Sequence, residues 1–266
     1  MGVQDGSSQI VTESSLPTAD QVPDPMGTAP FVVAATEDFH GVADSLAARH
    51  DLPVRPMEQL HGNEWILYVS DRVLQLRPPG QHDQPGGAVD WRPSRFRGNL
   101  SRRQPLARAC GRCSHVWDAT AGWGQDTFLL AQLGYQVTAA ERATAIAVLL
   151  SEAAAASETL GGQINAVSGD SRELLPALAL GARPDVVYID PMFPPKRKRS
   201  ALPKKEIQLL QQLVGHDTDS ADLLAIAREV SQQRVVVKRP LSAPALAADP
   251  TVSYSGKLVR YDVYYV

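Results

Sequence analysis

The sequence predicts an α/β protein: a mostly parallel sheet with an antiparallel hairpin at its C-terminal edge, and a small α/β appendage in front. Three observations predict it. From about residue 115 short β-rich runs alternate with helical stretches, the rhythm of βαβ units with right-handed crossovers. The last residues, "TVSYS" and "GKLVRYDVYYV", read as two strands folded back on each other. Ahead of them, "FVVAAT", a helical stretch and a pair of strand-like runs form a shorter unit of their own.

Taken in order, residues 1 to 29 are rich in Ser, Thr, Pro, Gly and acid and lack periodic apolar positions, so they are expected to form a disordered tail. Residues 30 to 90 are expected to hold the appendage. It comprises the strand "FVVAAT", a short helix over 40 to 49, and "WILYVS" with "RVLQLRP" as a hairpin turning at Ser70 and Asp71, and it ends near "RPPGQHDQPGG". Residues 91 to 114 are a basic linker or helix, and 115 to 266 the main domain. There "HVWDAT", "YQVTAAE", "INAVSGD", "DVVYID" and "RVVVKRP" are strands, separated by helices over 124 to 133, 143 to 157, 171 to 179 and 219 to 231.

The net charge of −3 conceals a segregation. Residues 92 to 112 hold seven Arg and residues 196 to 205 six Lys or Arg, with no acid in either stretch, while the other 235 residues hold 13 cations and all 29 acids. A polyanion responds to local potential, not to global charge, so this is how a nucleic-acid-binding face would be written. No apolar run reaches the roughly 18 residues of a membrane span, and the first 48 residues contain no Lys or Arg, which argues against a signal or transit peptide. A soluble cytoplasmic protein is expected. The two cysteines, Cys110 and Cys113 in "CGRC", lack the second pair a structural zinc site needs and precede a strand instead of opening a helix, so they read as reduced thiols.

Four successive strands end in an acid: Asp118 in "DATAGWGQD", Glu141 in "AAER", Asp170 in "SGDS" and Asp190 in "IDPMF". Ligands of open α/β sheets bind beyond the carboxyl ends of the strands. Gly122 and Gly124 let the backbone turn and approach a ligand, and the following helix offers free N–H groups. Glu141, 23 residues after Asp118, is where an acid can accept hydrogen bonds from ribose hydroxyls. A dinucleotide is disfavoured, because the third glycine of G-x-G-x-x-G is replaced by Thr127 and Asp126 would oppose a pyrophosphate. A ligand with a ribose, no phosphate and a positive charge suits the loop better, and S-adenosylmethionine has those properties.

The "DPMF" at the end of the fourth strand then lies where a methyl group would be transferred. An exocyclic base amine is a weak nucleophile. Acceptors for its N–H groups, the Asp190 carboxylate and the Pro191 carbonyl, would favour attack. Phe193 can stack on a flipped base. The cations that follow would hold phosphates of the same nucleic acid.

"DATAGWGQDTFLLA", "VVYIDPMFPPKRKRSALPKKE" and "RVVVKRP" resemble the RsmJ family, bacterial methyltransferases of small-subunit ribosomal RNA, from about Phe31 to the C-terminus and most closely over 116 to 240. The resemblance implies a Rossmann-like class I methyltransferase fold and S-adenosylmethionine-dependent methylation of guanine N2 near the 3′ end of 16S rRNA, free or in the 30S particle, without a metal. It implies cofactor roles for Gln125, Asp126, Glu141, Arg142, Asp170, Ser171 and Asp190, beside Asp118, Gly122 and Gly124 from the loop pattern. Candidate RNA contacts are Arg102, Arg103, Lys196, Arg197, Lys198, Arg199, Lys204, Lys205, Lys238 and Arg239. The chain departs from the family at Gln125, where Arg is usual, at Asp170, where a Ser-like residue is usual, and in having few glycines after the Arg102-Arg103 pair. Two alternatives stay open: amine methylation of a protein or small molecule, and an RNA-binding assembly factor without chemistry.

Overall fold

The computed structural model describes residues 31–34, 37–71, 73–92, 100–157, 163–192, 205–214 and 219–266. The expected tail, Phe193 and the cations from Lys196 to Lys204 lie outside them.

Two sheets are present. β1 (Phe31–Ala34), β2 (Ile66–Val69) and β3 (Gln75–Arg77) form the smaller, in the order β1-β2-β3. The expected hairpin is the antiparallel pair β2 and β3, and β1 lies parallel to β2 with α1 (His40–His50) as the crossover. This unit does not stand apart from the rest. Arg49 and His50 both reach Glu152 at 2.8 Å, and Val32, Leu67 and Leu76 belong to the same buried cluster as Phe128 and Leu150.

The larger sheet has the order β6-β5-β4-β7-β8-β10-β9. Its strands are β4 (His115–Asp118), β5 (Gln136–Glu141), β6 (Ile164–Ser168), β7 (Val186–Ile189), β8 (Arg234–Pro240), β9 (Val252–Ser255) and β10 (Val259–Tyr265). β4 to β8 are parallel, and β10 joins β8 antiparallel with β9 outside it. The helices are α2 (Pro105–Cys110), α3 (Gln125–Gln132), α4 (Thr144–Ala156), α5 (Ser171–Leu174), α6 (Lys205–Val214) and α7 (Ser220–Val230).

Period-two alternation sorts the strand residues between two cores. Val116, Val186, Tyr188 and Val236 face the core shared with α2, α3 and α4. Trp117, Val187, Ile189, Val235 and Val237 face the core under α5 and α7. Being covered on both sides is why these strands are apolar at nearly every position.

Two departures from expectation have local causes. The helix expected over 171 to 179 stops at Leu174, because Pro176 cannot donate to the helical ladder and disfavours helical geometry at the residue before it. α6 is not anticipated above, although Leu209, Leu210 and Leu213 carry the i, i+3, i+4 spacing that announces an amphipathic helix.

Candidate active site

Strand order reverses between β4 and β7, and a cavity of about 520 Å³ opens beyond the C-terminal ends of the strands around that point. This is the position the topology assigns to a ligand. Asp118, Gly122, Gln125, Asp126, Glu141, Arg142, Asp170, Ser171, Asp190 and Pro191 all line it. The sheet thus gathers residues from Asp118 to Pro191, spread over 74 positions of the chain.

The glycine loop is built as its sequence implies. Gly122 and Gly124 have φ of +51° and +73°, and a Cβ on Gly124 would lie 2.5 Å from Leu150 Cδ1. Gly124 does not itself line the cavity; it is the N-cap that starts α3. Glu141 is buried, and its two carboxylate oxygens accept from Gly122 N at 2.9 Å and Ala143 N at 2.8 Å. It therefore shapes the loop as well as lining the cavity. Trp123, buried against this loop, meets Gly87, where a Cβ would lie 2.5 Å from the indole. Through that contact the small sheet buttresses the cavity wall.

Asp118 is fully buried, with Thr127 Oγ1 donating to it at 2.6 Å. Burial pushes its carboxyl up to about 7, the Thr127 hydrogen bond opposing and the Asp126 charge adding. Because the folded state binds this proton more tightly than the unfolded chain, the group costs stability progressively as pH rises from about 3.8 to about 7. Replacing Asp118 by Asn should remove that loss. The stability difference between variant and wild type, read from urea melts, should move in favour of the variant by a few kcal/mol between those pH values.

Asp126 and Asp190 meet at one cation. Lys238 Nζ lies 2.7 Å from Asp126 Oδ2 and 2.8 Å from Asp190 Oδ2, and the Tyr188 hydroxyl also donates to Asp126 at 2.5 Å. Lys238, expected among the RNA contacts, lies inside the cavity, and Asp126, expected among the cofactor residues, is engaged there by Lys238 and Tyr188. The next residue, Arg239, points to the opposite face of β8, as period two requires. It is 7% exposed and donates to the Pro244 carbonyl at 2.9 Å, away from the cavity.

At the other end of the cavity lies an ionic chain. Asp170 caps α5 and pairs with Arg172 at 2.6 Å, Arg172 reaches Asp219 at 3.1 Å, and Asp219 holds Arg142 at 3.0 Å. Burial alone would raise the Asp170 carboxyl, but the Arg172 hydrogen bonds outweigh it and hold the group below the ordinary range. Ser171 uses its hydroxyl internally, donating to the Ala119 carbonyl at 3.0 Å and accepting from Trp117 Nε1 at 3.1 Å. Gln125 is exposed at the first turn of α3. Pro191 follows Asp190, whose N–H donates to Thr120 Oγ1 at 2.7 Å and so ties the end of β7 to the β4 loop.

Sequence reasoning did not single out Lys238 as a cavity residue, nor Thr120, Trp123, Tyr188, Arg172 and Asp219. Alternation from Val236 would have placed Lys238 on the cavity side of β8. The others were findable only through the fold. Arg102 and Arg103 stand elsewhere, exposed near the start of β4. Lys205 opens α6. Both thiols are free and pushed upward by burial, Cys113 to about 12. No group of three candidate metal ligands occurs among the described residues.

Comparison with known proteins agrees with this geometry. The family described as "Putative SAM-dependent methyltransferase" matches residues 46–266. Ribosomal RNA small subunit methyltransferase J of Chromobacterium violaceum is 39% identical over 241 residues, covering 84% of this chain and 92% of that protein. Its namesake from Thioalkalivibrio sulfidiphilus is 40% identical over 248 residues, covering 86% and 95%. The crystal structure of a SAM-dependent methyltransferase from Neisseria gonorrhoeae superposes with a TM-score of 0.65 at 32% identity, covering 88% of this chain and 95% of that one. With a Rossmann-like sheet, an acid at each strand end around its switch point and this degree of identity, the chain belongs to the ribosomal RNA small subunit methyltransferase J family, whose cofactor is S-adenosylmethionine.

Proposed function

We propose that this protein methylates the exocyclic N2 amine of one guanosine near the 3′ end of 16S rRNA, in the cytoplasm, with the free rRNA or the 30S particle as substrate. The observation that carries the reading is the end of β7: a carboxylate, Asp190, held by Lys238 inside the cavity and followed directly by the rigid Pro191.

The cavity fits the cofactor. Its 520 Å³ is within the range of small-ligand sites. Its lining combines Glu141, whose carboxylate can accept from ribose hydroxyls, with Asp118, Asp170 and Asp190 at the neighbouring strand ends. Glu141 would hold the ribose, Asp170 with the backbone beside it the adenine, and the loop from Asp118 to Gln125 the amino-acid end. Bound there, S-adenosylmethionine supplies a methyl group made electrophilic by its sulfonium.

The chain's own task is to orient the amine. Asp190 and the Pro191 carbonyl accept its two N–H groups and fix the nitrogen lone pair on the side of the methyl donor. The same carboxylate then takes the proton that the alkylated nitrogen sheds. Phe193 would stack on the base and the cations after it would grip phosphate. Among the described residues no helix is long and apolar enough to cross a membrane.

The test is direct. Incubated with tritiated S-adenosylmethionine and either 30S subunits or naked 16S rRNA from a strain lacking the activity, the protein should place label in N2-methylguanosine. Label in a different nucleoside would overturn the guanine N2 assignment. Label in protein alone would favour the amine methyltransferase alternative.

A further inference from the structure

The arginines just ahead of β4, from Arg102 to Arg112, come to rest at the opposite end of the sheet from the cavity. Arg102, Arg108 and Arg112 line an open groove of about 850 Å³ together with Ser114, Asp185 and Gln233. Those last three immediately precede β4, β7 and β8, so the groove lies at the N-terminal ends of the very strands whose C-terminal ends bear the cavity. At about 3.3 Å per residue the two are separated by roughly 15–20 Å of sheet.

The guanidinium groups here are held in place. Arg102 lies 4.5 Å from the ring centroid of Tyr135, Arg108 4.6 Å from that of Tyr254, and, beside the groove, Arg234 4.7 Å from that of Tyr265. A guanidinium laid on a ring keeps its plane while its N–H edge stays free for a bidentate anion. Tyr135 in turn donates to the Gly111 carbonyl at 2.9 Å, pinning the end of α2 against the start of β5. Gly111 has φ +71°, and a Cβ there would sit 2.8 Å from Arg234 Nη1, so glycine is what lets that group lie against the turn.

Arg102, Arg103, Arg108 and Arg112 are exposed, and none has an ion pair among the described residues. The carboxylate in the groove, Asp185, is engaged by the backbone N–H groups of Ser114 and His115 and by Gln233 Nε2. Three such cations in the groove, two with preset planes, and Arg103 next to Arg102 in the chain suit phosphate oxygens repeated along a strand.

We infer that this groove is a second RNA-binding site, which grips the phosphodiester backbone of a segment that does not enter the catalytic cavity. The inference rests on the RNA reading proposed above, and it gives the arginines from Arg102 to Arg112 a task distinct from the one proposed for the cations after Phe193. The enzyme then holds its substrate at both ends of the sheet, which favours a folded RNA over a short strand.

Two variants test it: Arg102→Gln/Arg108→Gln/Arg112→Gln, and Arg103→Gln/Arg112→Gln, which touches neither ring-stacked arginine and so spares the anchoring of α2. Binding to 16S rRNA is measured across a salt series, beside calorimetry with S-adenosylmethionine. The triple variant should bind RNA at least tenfold more weakly at about 0.15 M salt, with the slope of log K against log salt shallower by about two to three. The double variant should shift in the same sense by about one to two, and cofactor affinity should stay unchanged in both. Unaltered slope and affinity in both variants, with a wild type that methylates the same RNA, would overturn the groove and leave the proposed function standing. A wild type that binds RNA through a slope the variants lose, yet transfers no methyl to it, would do the reverse. A wild type that binds neither free 16S rRNA nor the 30S particle would overturn both.

Discussion

Asp190→Ala should lower methyl transfer by about a thousandfold or more while weakening S-adenosylmethionine by no more than about tenfold. The two effects separate because Asp190 is proposed to act on the substrate amine, whereas the cofactor has Glu141, Asp170 and the glycine loop. Removing one preorganised partner of a reacting group costs on the order of 10²–10³ in rate, and here the same carboxylate is also the proton acceptor. The variant should remain folded, because Lys238 keeps Asp126 at 2.7 Å and the Asp190 side chain is already 35% exposed. Asp190→Asn, which retains an acceptor oxygen but cannot take the proton, should fall between wild type and Ala. Calorimetry with the cofactor beside single-turnover assays gives both quantities. Equal losses of binding and rate would move Asp190 into the cofactor site. Glu141→Ala supplies the contrast: it frees the Gly122 and Ala143 N–H groups that Glu141 holds, so cofactor affinity should collapse together with activity.

Most of the fold was legible because strand and helix periods leave different marks, and the acids at four strand ends were legible because the fold type says where strand ends point. The limits are instructive. Lys238 and Arg239, adjacent in "KRP" and both expected among the RNA contacts, part company because period two turns one into the cavity and the other toward Pro244. A pair of neighbouring charges in a strand is never a single patch, and that inference was available from Val235 to Val237 alone. Arg172 and Asp219, by contrast, are 47 positions apart in the chain and meet only because α5 and α7 pack together on one face. No local pattern encodes such a pairing. Likewise no local pattern in the run from Arg102 to Arg112 says which end of the sheet it will occupy; the path of the chain sets Arg102, Arg108 and Arg112 at the end opposite the cavity.

Lys238→Met should be as damaging as any change at the strand ends, through both stability and rate. In the wild type, burial alone would push the lysine down, but Asp126 and Asp190 outweigh it and hold the ammonium above its ordinary range. A raised folded value means the stabilisation is fully present below the unfolded lysine value of about 10.4 and is lost only as pH climbs past it. The variant should therefore be less stable than wild type by about 2–4 kcal/mol near neutrality, with the deficit shrinking above about pH 10.4. For a chain of this size that corresponds to a melting temperature lower by roughly 5–15 °C. The two carboxylates, both within 2.8 Å of the lost ammonium, would then share a site without a cation, so one of them takes up a proton at higher pH. Since the proposed chemistry needs Asp190 ionised, the acid limb of the rate profile should move to higher pH, and Lys238→Arg, which keeps the charge, should restore much of it. A purely packing role for Lys238 would lower stability and leave the acid limb where it was. A shift of that limb without change in cofactor affinity would instead identify Lys238 as the residue that positions Asp190 and keeps it charged.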